Sequence, residues 1–136
     1  MAGAHAPVEA AALAVVALGG VVGSLGRYAV GLFLPHAAGE FPWATWLVNV
    51  SGAFAMGLLV AFLVDRPGTH RLARPFLGVG ILGGWTTFSA LAVDTVELGA
   101  TGQVSVTVAY VTTTFLVGTL AIGAGTAVGQ RIWPGP

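Results

Sequence analysis

The chain has no cysteine and no lysine, and its charge is limited to five arginines and five carboxylates in 136 residues. Without cysteine, the redox compartment leaves no mark on the sequence. With charged residues at only 7%, against about a quarter in a soluble domain, a water-facing surface cannot be built. The net charge is zero and the arginines are mostly scattered, so there is no basic patch for nucleic acid. Also missing are a nucleophile–base set, a phosphate-binding loop and a cluster of metal ligands, which leaves enzyme chemistry without support. His5, His36 and His70 stand apart in tails and loops, a poor arrangement for a metal. The first nine residues carry no lysine or arginine, so the basic region of a cleavable signal peptide is not expected.

What remains is apolar. Hydrophobic residues make up 56% of the chain, and the mean hydropathy is +0.89. Four apolar runs, at about 10–34, 43–64, 75–99 and 104–128, each reach the roughly 20 residues needed to cross a bilayer as a helix. They are continuous rather than alternating and too long for barrel strands of about ten residues. Short gaps between them hold the turn residues. Residues 1–136 therefore read as a single four-helix transmembrane domain, an all-α membrane protein.

Charge and aromatics orient it. Arg66, Arg71 and Arg74 lie in the second connection and Arg131 follows the fourth helix, with Arg27 alone near the opposite side. The excess of positive charge places both termini in the cytoplasm. Trp43 and Trp46 at the start of helix 2 and Trp133 near the end of the chain suit headgroup anchoring, whereas Trp85 falls near mid-membrane. Twenty-one glycines recur at four-residue spacing, as in Gly19/Gly23, Gly80/Gly84 and Gly125/Gly129. Such spacing lets helices approach closely in lipid. Small faces on nearly every helix exceed the needs of one thin bundle, so a dimer is expected.

Polar side chains inside the membrane are costly and carry functional weight. Arg27 reads either as a snorkelling side chain or as a group that neutralises an anion. Asn49 lies about seven residues into helix 2, either as an interhelical hydrogen bond or as part of a path. Tyr110 and Thr114 share one face of helix 4 and, opposite Asn49, suggest a lined pathway. The stretch Gly83-Gly84-Trp85-Thr86-Thr87-Phe88-Ser89 combines two glycines, each weakening a helix by about 1 kcal/mol, with two β-branched threonines. It reads as a third helix broken mid-membrane, with a continuous glycine-packed helix as the alternative. A break there requires protein or a cavity around it, and unwound carbonyls suit a cation. Donors outnumber acids at this depth, since Asp94 and Glu97 lie toward the end of helix 3. That favours a small anion, and the positive edge of the Phe88 ring adds to it.

Three motifs then resemble one family. Gly19-Gly20-Val21-Val22-Gly23-Ser24-Leu25-Gly26-Arg27-Tyr28 is similar to G-G-x-x-G-[A/S]-x-x-R-Y. Thr45-Trp46-Leu47-Val48-Asn49-Val50-Ser51-Gly52-Ala53-Phe54 is similar to T-x-x-x-N-x-x-G-x-F. The helix 3 stretch from Gly83 to Ser89 is similar to G-G-x-T-T-F-S. In order on three of four helices, they resemble the Fluc (CrcB-type) fluoride channels over the whole chain. The resemblance implies passive, selective export of fluoride across the cell membrane, and hence fluoride resistance. It implies an antiparallel dimer with pores at the interface and a structural sodium ion at its centre, held by the backbone carbonyls of Gly83 and Thr86. It implies pore roles for Asn49, Phe88, Ser89, Tyr110 and Thr114, and places Arg27 at a vestibule. Asp94 stands where the family usually has Glu.

Two positions depart from the pattern. Leu91 stands where a second pore phenylalanine is expected, and Gly118 where a hydroxyl would continue the helix 4 track. The partner is thus either a second copy or an oppositely oriented homologous subunit, and in the latter case the chain alone would be inactive. A small multidrug-type proton antiporter also has four helices, but it needs a buried helix 1 carboxylate. Helix 1 offers only Arg27 and the terminal Glu9.

Overall fold

The computed structural model describes residues 6–64 and 71–134. His5, Arg66 and His70, weighed above, lie outside them. Among the described residues there are helices and no strands, as lipid demands of a chain that must satisfy its backbone internally. Helix α1 spans Ala6–Phe33, α2 spans Trp43–Val64, α3 is the short turn Gly83–Trp85, α4 spans Phe88–Ala100 and α5 spans Val104–Ile132. A π-helical segment, Arg74–Leu82, leads directly into α3. Four spans, Glu9–Phe33, Trp43–Leu63, Arg74–Ala100 and Val104–Ile132, are long and apolar enough to cross a membrane.

The ends have local causes. Helix α1 stops at Phe33, where Pro35 disfavours helical backbone at the residue before it. The connection to α2 turns at Gly39, whose φ of +88° suits a residue without Cβ. Gly102, with φ of +74°, makes the same provision between α4 and α5. The fourth span runs to Ile132, four residues past the expected end, because the sequence offers no proline before Pro134.

The helices form two closely packed pairs. Helix α1 lies against the first half of the third span, and α2 lies against α5. Glycines set both contacts. A Cβ at Gly19 would meet Phe76 O at 2.6 Å and Gly80 Cα at 2.9 Å, and a Cβ at Gly84 would meet Gly20 O at 2.6 Å. In the second pair, Gly57 faces the backbone of Ile122 and Thr126, and Gly125 faces Phe54 and Leu58. These spacings were expected to leave small faces over for a partner. Most are instead used within the protomer, because four helices meet only where side chains vanish.

Of the tryptophans, Trp46 packs against the cluster of Leu91, Leu98 and Tyr110, Trp43, one turn earlier, is exposed, and Trp133 meets Phe62 edge-on at 5.1 Å.

Candidate functional site at the interrupted third span

The third span leaves helical geometry at two residues. Thr86 has φ −78° and ψ 156°, and Thr87 has φ −151° and ψ 118°. The interruption therefore lies after the glycine pair rather than at it. Gly83 and Gly84 stay helical, because Gly84 is held against α1 by backbone packing to Gly20 and Ser24. The threonines give way instead. β-Branched residues prefer extended backbone, and Thr87 caps the next helix, its Oγ1 accepting from Ala90 N at 3.1 Å.

Asn49 closes the gap from α2. Its Nδ2 donates to Thr87 O at 3.0 Å, and Thr87 N donates to its Oδ1 at 2.7 Å. The carboxamide thus supplies both bonds that an adjacent strand would give, as irregular backbone within a membrane span requires. One Nδ2 hydrogen is used this way and a second remains. The cost falls on helical acceptors. In a continuous helix Thr87 N would serve Gly83 O and Ala90 N would serve Thr86 O. Here those donors go to Asn49 and to Thr87 Oγ1.

Two hollows flank the interruption, and Thr87 lines both. One, of about 240 Å³, brings Asn49, Phe88 and Thr114 together with Leu91. The other, of about 390 Å³, brings Arg27 and Ser89 together with Thr45 and Asp94. Phe88 is 74% exposed on the protomer surface. Thr114 is buried and donates to Tyr110 O at 2.7 Å.

Tyr110, expected on a polar line with Thr114, has no exposed surface in the protomer and lines neither hollow. Its hydroxyl donates to Asp94 Oδ2 at 2.8 Å, and Phe41 meets its ring edge-on at 5.4 Å. Asp94 itself is only 8% exposed. Both acids lie toward the end of the third span, as expected; Glu97 is exposed, whereas Asp94 faces the protein interior and forms no ion pair among the described residues. Sequence reasoning missed the pair, yet a signal existed. Residues 94 and 110 are equidistant from the turn at Gly102, so an antiparallel hairpin brings them level.

This pair carries a stability prediction. Tyr110→Phe leaves a buried carboxylate oxygen without its donor and should destabilise the protein by about 1–3 kcal/mol. Thermal unfolding in detergent measures it. Adding Asp94→Asn to Tyr110→Phe should recover part of the loss, and a Tyr110→Phe variant as stable as the parent would refute the assignment.

Comparison with known proteins agrees with this architecture. The family profile described as CrcB-like protein, Camphor Resistance (CrcB), matches residues 14–126. The chain is 41% identical over 124 residues to fluoride-specific ion channel FluC 1 of Streptomyces coelicolor, covering 91% of this chain and 80% of that one. It is 40% identical over 124 residues to FluC 2 of Nocardia farcinica, covering 91% and 89%. It is 42% identical over 118 residues to FluC of Paracoccus denitrificans, covering 87% and 94%. A profile that runs from the first span into the fourth, with relatives matched nearly end to end, makes this chain a multi-pass membrane protein of the CrcB family.

Proposed function

We propose that the chain is a subunit of a fluoride channel and that two subunits in opposite orientations form its pores. The carrying observation is the clasp of Asn49 on Thr87 in a chain whose relatives are named fluoride-specific ion channels. A bare halide in hydrocarbon costs many kcal/mol unless hydrogen-bond donors replace its water. Asn49 has one N–H to offer, the hydroxyl of Ser89 can rotate to donate, and the Phe88 ring presents a positive edge. Arg27, at the wider hollow, would raise the local anion concentration at a mouth.

The dimer is supported by what the protomer leaves uncovered. Gly83, Phe88 and Ser89 are exposed beside the interruption. Interrupted backbone and a hydroxyl at that depth are tolerated only against protein or a cavity, so a second chain is needed over them. The same argument supports a structural sodium ion. Hard cations take oxygen ligands, and the carbonyls of Gly83 and Thr86, whose helical donors are diverted, would provide two from each subunit. The ion would supply fixed positive charge that ties the two interruptions together.

The test is fluoride efflux from liposomes holding the purified chain, followed with a fluoride electrode. Efflux should be rapid with sodium and at least tenfold slower in protein purified and reconstituted without it. A second reading, a subunit inactive without a homologous partner, is favoured by Leu91 and by the open space at Gly118. Silence of the purified chain, with efflux restored by a homologous subunit, would select it. The proton-antiporter alternative falls with the family assignment.

A further inference from the structure

Asn49 holds only the downstream edge of the interruption. The upstream edge, the turn Gly83–Trp85, must also be fixed if its carbonyls are to point one way. Its contact with α1 is glycine against backbone: a Cβ at Gly84 would meet Gly20 O at 2.6 Å and Ser24 N at 3.0 Å. Such packing sets distance but has no directional bond. Thr86 Oγ1 bonds Leu82 O within the same stretch of chain. Among the described residues, the side-chain hydrogen bond that ties this turn to another helix is Trp85 Nε1 to Ser51 Oγ, at 2.9 Å.

The indole is built into the fold. A Cβ at Gly26 would meet its Cζ3 at 2.9 Å and its Cε3 at 3.2 Å, and a Cβ at Gly52 would meet its Cδ1 at 3.1 Å. Trp85 therefore fills the space between α1 and α2. Ser51 donates its own hydrogen to Val48 O at 3.3 Å, which leaves its lone pairs for the indole N–H. The methyl of Thr86 sits where a Cβ on Gly52 would be. Ser51, Gly52 and Asn49 of α2 thus receive Trp85, Thr86 and Thr87 in turn. This also explains a tryptophan at a depth where headgroup anchoring cannot.

We propose that Ser51 and Trp85 are a positioning pair. Their hydrogen bond fixes the rotation of the last helical turn before the interruption and so aims the carbonyls of Gly83 and Thr86. The cation part of this claim rests on the sodium reading above. The hydrogen bond itself does not.

The experiment compares the parent with Trp85→Phe, Ser51→Ala, the double variant and Ser51→Thr. Each is reconstituted over a series of sodium concentrations and assayed for fluoride efflux. Each of the first two should raise the sodium needed for half-maximal efflux about threefold to tenfold. The double variant should shift it no further than the larger single change, because one bond is lost in all three. Ser51→Thr, which keeps the hydroxyl, should stay near the parent. Unchanged half-saturation in both single variants, or shifts that multiply in the double, would overturn the pair. Amide hydrogen exchange over residues 86–91 is the second readout. It should quicken in Trp85→Phe and Ser51→Ala, and unchanged exchange counts against the pair. If parental efflux ignores sodium, the cation reading fails, and exchange at 86–91 alone decides whether the bond positions the interruption.

Discussion

Fluoride efflux should collapse in Asn49→Asp, by about a thousandfold, with the protein still folded. The substitution keeps shape and volume, so packing of α2 is undisturbed. One oxygen of the new carboxylate still accepts from Thr87 N, as Oδ1 does now at 2.7 Å. The other replaces the Nδ2 group and faces Thr87 O, now 3.0 Å from the nitrogen. A donor–acceptor contact becomes oxygen against oxygen, which opens that half of the clasp. The larger effect is charge. A unit negative charge about 4 Å from a crossing anion opposes it by about 4 kcal/mol at an effective dielectric constant near 20, and about 1.4 kcal/mol is tenfold in rate. Efflux within threefold of the parent would remove Asn49 from the path. Asn49→Leu is a poorer test, because it strands Thr87 N and O together in hydrocarbon and threatens the fold itself.

The four spans are legible from hydropathy alone, because the bilayer fixes both length and composition. Glycine spacing is legible as helix packing, but not which helix each glycine meets. Gly80/Gly84 serve α1, whereas Gly125/Gly129 serve α2. That an interruption belongs near Gly83–Ser89 can be read from propensity. Its position at Thr86–Thr87 cannot, since propensity scores the glycines as weakest and tertiary packing keeps them helical. Nor can the Trp85–Ser51 bond be read from sequence. It joins residues 34 apart through the relative rotation of two helices, which hydropathy does not fix. The partner of Asp94 is hidden for a related reason: counting along the third span puts Asp94 beyond the middle, where it lies, but only the hairpin partner Tyr110 shows that it faces protein. Family resemblance names Asn49 as a donor but says nothing of the backbone groups it satisfies. Those follow from the geometry.

The second large effect concerns the α2–α5 contact. Gly57→Val should prevent recovery of folded protein, whereas Gly118→Val should be recovered at the parental level. A Cβ at Gly57 would run into Ile122 O and would stand 2.8 Å from Thr126 N and 3.1 Å from Ile122 C. These are backbone atoms of a facing helix and cannot rotate aside. The two helices would have to separate along their most extensive contact, and Gly125 would lose its seat against Phe54 O in the same movement. Overpacking of one methylene costs about 1–3 kcal/mol where side chains can adjust. A valine against rigid backbone, with a lost glycine contact on the opposite helix, exceeds that range. In lipid no hydrophobic force draws the pair back together, since acyl chains solvate separated helices as well as they solve packed ones. At Gly118 a Cβ meets nothing within 4 Å, and valine is no poorer a helix former than the glycine it replaces. The yield of monodisperse protein after membrane extraction distinguishes the two. Equal yields would mean that α2 and α5 do not approach as described. Reduced yield at Gly118 with normal thermal stability would instead show that a partner subunit covers that face.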